Sequence, residues 1–524
     1  MNIAFRVDAS DQIGTGHLMR CLTLADIFLG RGVRVQFICR DHSGNLVALL
    51  KDRNIPVLVL PRPAERASQH SEDYAMWLGV SQIEDAGHSI DALNGEIPDW
   101  LIVDHYGLDV EWERKIRPFA KKIMVIDDLA NRVHECDVLL DQNYALNDQR
   151  YVELLPVSCQ SLLGPRYALL RPEYRQHRES VCRGGTVGKI LIFFGGTDSF
   201  NLTALVLTVL SLPEFSHIEV DVIVGANNKH RVQIEAISNA RPRTVLYGPR
   251  SHLADLMASA DLSIGAAGGT TWERMCLGLP SLVISVAENQ LPGARSLAKQ
   301  KLIKYVGHHS DNVSEALKRD LHYLINDESE LRQLTVRNQQ LVDGMGAMRV
   351  VEALSPSPEK QFKLRRAAAH DIFLYYDWAN DPAVRSNGFS SEPIAWEVHE
   401  QWFQGKIEDA GSYLFVLEVS GLPVGQVRFE RREDDLNIGY SLDTVVRGRG
   451  WGKALIVLGI YSLMNLNSSR LRAVVKYENF ASRAVFLGLG FLEEPNPSGH
   501  QFDYYLNFTQ RVEVTEKFLR LGDI

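Results

Sequence analysis

The stretch Gly14-Thr15-Gly16-His17-Leu18-Met19-Arg20-Cys21-Leu22 decides how this chain is read. It comes shortly after an apolar run, Ile3 to Val7, that ends in Asp8, and it opens a helical stretch from Leu18 to Leu29. A glycine-rich turn between strand and helix lets a ligand approach the backbone, and free amides at the helix start attract anions. Gly14 and Gly16 are therefore candidate substrate-binding residues. An imidazole at the positive end of a helix dipole is favoured as the neutral ring, which suits His17 to general-base work beside an anion. The bland alternative is a capping turn that carries a surface histidine.

Outward from this loop, strand-like runs recur at Ile3–Val7, Val33–Cys39, Val57–Leu60, Trp100–Val103, Ile123–Ile126 and Val138–Leu140, with helical stretches such as Leu18–Leu29 and Asn45–Lys51 between them. Alternation of this kind implies a parallel sheet covered on both faces, with ligands bound beyond the carboxyl ends of the strands. Those ends carry Asp8, the cluster Asp104-His105-Tyr106, and Asp127-Asp128. Each suits a turn, but their repeated placement on the ligand side marks Asp8 and Tyr106 as substrate-site candidates. Asp8 is the expected partner that orients His17. Asp127-Asp128 has no third spaced ligand, so caps or sugar contacts are favoured over a metal, and no metal is expected.

A second alternating segment begins near Lys189. The strand Ile190–Phe194 runs into Gly195-Gly196-Thr197-Asp198, and Leu202–Leu210 is the following helix. Further strands fall at Glu219–Val224, Thr244–Tyr247 and Leu262–Ile264; the last leads into Gly268-Gly269-Thr270-Thr271-Trp272-Glu273. A Gly-Gly-Thr turn at a helix start offers amides and a hydroxyl to a pyrophosphate. Glu273, in the first turn, suits the two vicinal hydroxyls of a ribose, or else is simply an acid favoured by the helix dipole. Residues 329–353 read as a closing helix that reaches back towards the first half. The first 350 residues thus hold two doubly wound halves, expected at 1–150 and 151–353, with a nucleotide-sugar cleft between them.

At 524 residues the chain is long enough for two or three domains. A net charge of −9 with no dense Lys/Arg tract argues against a nucleic-acid binder. The cysteines (21, 39, 136, 159, 182 and 276) show no CxxC spacing, as expected of reduced thiols in a cytoplasmic protein. The first residues meet charge too soon for a signal peptide, and the longest apolar runs are too short to cross a bilayer. No membrane association is expected, and oligomeric state is open.

Arg6-Val7-Asp8-Ala9-Ser10 followed by Gly14 to Leu22 resembles the start of the nucleotide-sugar hydrolases of pseudaminic acid biosynthesis. Gly268 to Glu273, followed by Glu288-Asn289-Gln290, is similar to the nucleotide-sugar half of that family and of the MurG-like glycosyltransferases. The resemblance covers residues 1 to about 350. It implies a GT-B-like pair of Rossmann-like domains and hydrolysis of UDP-2,4-diacetamido-2,4,6-trideoxy-β-L-altropyranose to UDP and the free sugar. The family's catalytic histidine falls on His17, its phosphate loop on Gly268, Gly269 and Thr270, and its ribose carboxylate on Glu273. Asn289 is a further substrate contact by the same likeness.

Leu354-Ser355-Pro356-Ser357-Pro358-Glu359-Lys360 is a Pro/Ser break, expected to be a linker over 354–360. Beyond it the pattern changes to a strand at Phe362–Arg365, helices to about Gly405, and strands at Tyr413–Val419, Leu422–Glu430 and Leu436–Leu442 joined by tight turns. This is an α+β arrangement with a largely antiparallel sheet. Arg447-Gly448-Arg449-Gly450-Trp451-Gly452-Lys453 then opens an apolar helix: glycine amides with three cations nearby, another pyrophosphate cradle. R-x-x-G-x-G at 447–452, followed by Asn479, Ser482, Phe486 and Leu489-Gly490-Phe491, resembles the GNAT N-acetyltransferases over 361–510. Trp378 to Arg385 with Ser391-Glu392-Pro393-Ile394 looks like the branch that acetylates 4-amino nucleotide sugars. The likeness implies acetyl-CoA as cosubstrate, held by residues 447–453, Asn479 and Ser482, in a GNAT domain over 361–524. Many relatives carry a tyrosine where Phe486 stands, as acid for the leaving thiolate. Tyr504, Tyr505, His500 and Glu430 are candidate replacements.

Taken together, the expectation is a bifunctional enzyme that acetylates a UDP-4-amino sugar and then releases UDP from the product. The rivals are a MurG-like glycosyltransferase with an acetylating partner and a non-enzymatic nucleotide-sugar-binding regulator.

Overall fold

In a computed structural model of the chain, the described residues are 1–63, 74–144, 148–250, 252–355, 362–433, 435–464, 470–496, 500–507 and 510. They fall into two compact units, Met1–Val351 and Glu352–Ile524. Most of the expected 354–360 linker lies outside the described residues.

The first unit contains two wholly parallel sheets. Strands β1 (Asn2–Val7), β2 (Arg34–Arg40), β3 (Val57–Leu60), β4 (Trp100–Asp104), β5 (Lys122–Ile126), β6 (Val138–Asp141) and β7 (Gln160–Leu163) form one, in the order 3-2-1-4-5-6-7. Their apolar runs are buried on both faces, as a parallel sheet flanked by helices requires. β7 and the helix Gln82–Leu93 escape the sequence pattern. The edge strand β7 is too short and too polar to announce itself, and it carries the first sheet beyond residue 150. The helix Gln82–Leu93, capped by Ser81 Oγ accepting from the Glu84 amide, presents only a few apolar positions.

Strands β8 (Lys189–Phe193), β9 (Glu219–Ile223), β10 (Thr244–Tyr247), β11 (Leu262–Ala266), β12 (Ser281–Ser285) and β13 (Lys304–His308) form the second sheet, in the order 10-9-8-11-12-13. In both sheets the order reverses beside the first strand, between β1 and β4 and between β8 and β11. Crevices at such points are where doubly wound sheets bind ligands. The expected closing helix is two helices, Glu328–Leu341 and Gly346–Leu354, broken around Gly344 at φ +81°. The second of them does return: Arg349 Nη1 donates to the carbonyl of Arg166, just beyond β7.

The second unit is a mixed sheet of β14 (Phe362–Arg366), β15 (Ser412–Val419), β16 (Leu422–Arg432), β17 (Asp435–Leu442), β18 (Arg470–Lys476), β19 (Leu492–Pro495) and β20 (Gln501–Asn507), ordered 14-15-16-17-18-20-19. All neighbours run antiparallel except β17 and β18. That parallel pair is joined only at Asp435–Asn437 against Arg470–Arg472, so the two strands part towards Leu442 and Lys476. The parting opens a wedge in the sheet, from which β17 runs on towards the glycine turn 448–452. Among the described residues of the chain, no helix is long and apolar enough to cross a membrane.

Candidate functional site

The Gly14–His17 loop leaves β1 and starts the helix Gly16–Gly30. Gly14 holds φ +78°, and a Cβ at Gly14 or Gly16 would meet nothing within 4 Å, so the loop stands clear for a ligand. β1 pairs with β4 so that Val7 lies opposite Asp104, which brings the end of β4 under the loop. His17 Nδ1 lies 2.6 Å from Asp104 Oδ1. Arg20, one helical turn on, grips the same carboxylate with Nε on Oδ2 and Nη2 on Oδ1, each at 2.6 Å. Burial opposes ionisation of Asp104, but Arg20 and His17 overcome it and hold the carboxyl well below the usual carboxylate range. An ionised Asp104 accepts the proton on Nδ1, which fixes the tautomer and leaves Nε2 as a lone-pair acceptor. The 3.2 Å contact between Arg20 Nη2 and Nδ1 is then between two donors sharing one carboxylate.

Tyr106 packs its ring edge-on to His17 at 4.6 Å, with Tyr74 and Trp77 beyond it. Burial and the Asp128 carboxylate push the Tyr106 phenol well above its ordinary range, and Asp128 also reaches Arg20 Nη1 at 3.3 Å. Asp127 is separate from this group. It is buried, accepting from Arg132 Nη2 at 2.6 Å and from the Ala130 amide at 3.0 Å, and so latches its own loop.

Asp8 does not orient His17. It points back into the sheet, where Oδ1 accepts from Arg6 Nη1 and from the Arg40 amide, both at 2.7 Å. Oδ2 faces Nε2 of His42 and of His105 at 3.6 Å each. Arg6 and Arg40 also converge on Asp85, a fully buried carboxylate that accepts from the Trp112 indole. The aspartate on the loop's own strand thus serves the core beneath the site, and the neighbouring strand supplies the orienting group.

In the second sheet the Gly268–Thr270 turn follows β11 and starts the helix Thr270–Cys276. Gly269 has open space where a Cβ would stand, and the Gln290 amide is the group nearest the corresponding point at Gly268, at 3.9 Å. Asn289 is exposed on the turn Glu288–Gln290; its neighbour Gln290 faces the glycines. Glu273 sits beside Tyr174. Burial raises its carboxyl, and the Tyr174 hydroxyl offsets part of the rise.

In the second unit, Gly448 and Gly450 both hold φ +78° with open space above them, as an anion turn requires. The cations expected around that turn point elsewhere. Arg447 donates to the Leu442 carbonyl at 3.0 Å and pairs with Asp381 at 2.8 Å; Arg449 pairs with Glu352 at 2.7 Å. Lys453 extends to the C-terminal end of the helix Phe480–Gly488, where a Cβ on Gly488 would lie 2.5 Å from its Nζ. Arg447 and Arg449 each pair with a carboxylate distant in sequence, so the backbone amides are what the turn itself presents. Gly452 packs against the Tyr440 ring. Asn479 caps the helix Phe480–Gly488 by accepting from the Ser482 amide at 3.1 Å, and Ser482 Oγ meets the Tyr440 hydroxyl at 3.1 Å. Phe486 is buried against Tyr504, whose hydroxyl is bonded to Glu493, while Glu430 is paired with Lys406 and Arg428. Among the described residues no three His, Cys, Asp or Glu side chains are grouped to hold a metal.

The sequence reading gave Arg20 no role, noted Asp104 only within a strand-end cluster and took Asp128 for a cap or sugar contact. Arg20 was legible from its i+3 spacing to His17, which puts both on one helix face.

Residues 190–345 match the glycosyltransferase family 28 C-terminal domain, and residues 361–492 match the acetyltransferase (GNAT) domain. The chain is 22% identical to an uncharacterised protein, MJ1062, of Methanocaldococcus jannaschii across 97% of this chain and 100% of that one, so the two-part architecture recurs there. It is 27% identical to the UDP-2,4-diacetamido-2,4,6-trideoxy-β-L-altropyranose hydrolase of Campylobacter jejuni over 57% of this chain and 97% of the relative. It is 22% identical to the spore coat polysaccharide biosynthesis protein SpsG of Bacillus subtilis over 69% of this chain and 100% of that one.

Proposed function

We propose that this chain, which joins a unit similar to UDP-sugar hydrolases to a GNAT acetyltransferase domain, carries out two consecutive reactions on one nucleotide sugar. The GNAT domain transfers acetyl from acetyl-CoA to the 4-amino group of a UDP-4-amino-4,6-dideoxy-N-acetyl sugar. The first unit then hydrolyses UDP-2,4-diacetamido-2,4,6-trideoxy-β-L-altropyranose to UDP and the free sugar, a step of pseudaminic acid biosynthesis. The place of action on this reading is the cytoplasm.

The observation that carries the hydrolase reading is the 2.6 Å contact of His17 Nδ1 with Asp104 beside an open glycine turn. With Asp104 holding the Nδ1 proton, Nε2 of His17 takes a proton from water as that water attacks the anomeric carbon. The C1–O bond to UDP breaks, and the diphosphate leaves without prior protonation because backbone dipoles of the Gly268–Thr270 turn stabilise its charge, while contacts to its ribose hold the nucleotide in place. Glu273 accepts from the ribose hydroxyls on this reading. Asp104 and Arg20 orient the base without touching the reacting atoms.

In the acetyl transfer, the amine attacks the thioester carbonyl and CoA thiolate is expelled. The amides of 448–452 hold the pyrophosphate, and the wedge between β17 and β18 takes the pantetheine arm. Phe486 has no proton to give the thiolate, so the acid for that step is a group other than the one at this position in many relatives.

The family 28 match is a specific observation in favour of a glycosyltransferase. Incubation with the UDP-sugar and water alone separates the two: a hydrolase frees the sugar, whereas a transferase without its acceptor stalls. For the whole reading, the intact chain is supplied with the UDP-4-amino sugar and acetyl-CoA and the products are followed by NMR. Appearance of the N-acetylated UDP-sugar, then UDP and free diacetamido sugar, is expected; accumulation of the UDP-sugar without UDP release would reject the hydrolase half.

A further inference from the structure

Arg274 follows Glu273 in the helix Thr270–Cys276, and it is 2% exposed. Its Nη2 donates to the Ala266 carbonyl at 2.8 Å and to Thr271 Oγ1 at 3.0 Å. Nε is buried without a hydrogen-bond partner among the described residues. No carboxylate of the described residues lies within the 4.0 Å ion-pair distance of the guanidinium, and Glu273 sits beside Tyr174 instead. Burial lowers Arg274 to about 10, so it remains a full cation at neutral pH.

The cation is buried at a particular place. A Cβ on Gly265 of β11 would lie 2.6 Å from Arg274 Nη1 and would press on the carbonyl of Phe193, the last residue of β8. The guanidinium therefore lies between the carboxyl ends of β8 and β11, where the strand order of this sheet reverses. Glycine turns follow both strands, Gly195-Gly196 and Gly268-Gly269. The neighbouring Glu273 carboxylate offsets part of the burial through space, but a buried guanidinium with no directly paired carboxylate is still costly in the empty protein, and an apolar side chain of similar length would fill the space without that cost. An anion seated over the two glycine turns repays it, because charges interact strongly across a low-dielectric floor even without contact.

We infer that Arg274 is the buried counter-charge for the diphosphate of the nucleotide sugar, setting this site to prefer UDP over uncharged uridine. The inference rests on the reading of this sheet as the UDP site. Arg274 acts through the loop and the field beneath it, so it is a positioning and specificity residue.

The test measures UDP affinity by calorimetry and uridine affinity by ligand-observed NMR on the full chain and on R274M, R274Q and R274K. Both neutral variants are expected to bind UDP about tenfold more weakly, which is about 1.4 kcal/mol, with uridine affinity within about twofold of the parent. R274K, which keeps the charge, recovers most of the UDP affinity. If R274M does not fold, the Gln and Lys pair makes the same comparison. Unchanged UDP affinity in the neutral variants, or a parallel loss of uridine binding, would overturn the inference while leaving the UDP site standing. Absence of UDP binding by the parent chain would overturn the site itself, and the inference with it.

Discussion

His17 Nδ1 and Asp104 Oδ1 are 2.6 Å apart although 87 residues separate them in the chain. The parallel pairing of β1 with β4 makes the contact, and Arg20 locks the carboxylate from its other side. The arrangement states a direction of proton flow: the inner nitrogen is held by Asp104, and the outer one is free to work.

Asp104→Asn is therefore expected to lower UDP release by roughly 10²–10⁴-fold, since an amide no longer fixes the Nδ1–H tautomer. UDP affinity, a property of the other sheet, should stay within about threefold. Steady-state rates and UDP calorimetry on the same preparation check both.

Glu273→Gln tests the ribose contact. Charge-assisted hydrogen bonds to a carboxylate contribute roughly 1.5–3 kcal/mol, so UDP binding should weaken by about 10-fold or more. Discrimination between UDP and 2′-deoxy-UDP should largely vanish in the variant. Retained discrimination would place the ribose elsewhere.

Gly450→Ala addresses the cosubstrate turn. At φ +78° an alanine costs about 1–2 kcal/mol of backbone strain, and its methyl would occupy the open space proposed for the pyrophosphate. The KM for acetyl-CoA is expected to rise about 10-fold with a smaller effect on kcat, while hydrolysis of the already acetylated UDP-sugar is unchanged.

The reading from sequence went furthest where the signal was local. The Gly14–His17 turn, both doubly wound sheets and the change to an antiparallel sheet near residue 362 all follow from composition and period over short windows. It failed where partners come from a distance. Asp8 is the acid at the end of the loop's own strand, but strand order, which periodicity does not encode, gives that task to Asp104. Nor does periodicity encode that Arg447 and Arg449 pair with Asp381 and Glu352, or that Lys453 lies beside Gly488. The short edge strands β7 and β13 lacked enough apolar residues to be read at all.

Acid should weaken the first unit in a defined window. Burial opposes ionisation of Asp8, Asp104 and Asp343, yet Arg6, Arg20 and Arg349 respectively hold all three below the ordinary carboxyl value. A carboxyl depressed in the folded state contributes stability that is fully present above its unfolded pKa of about 3.9 and is lost as pH falls below it. Each group then costs up to about 1.4 kcal/mol per pH unit. Urea unfolding should show no change in stability from these groups between pH 7 and 5 and a steep loss below about pH 4. A midpoint that stays level down to pH 3 would contradict the ion pairs.

The central claim is that His17 takes the proton of the attacking water. The direct measurement is UDP release from UDP-2,4-diacetamido-2,4,6-trideoxy-β-L-altropyranose by His17→Ala, set beside its UDP affinity. Turnover is predicted to fall by roughly 10²–10⁴-fold with UDP binding retained within about threefold; a variant that turns over at the parent rate would remove His17 from the chemistry.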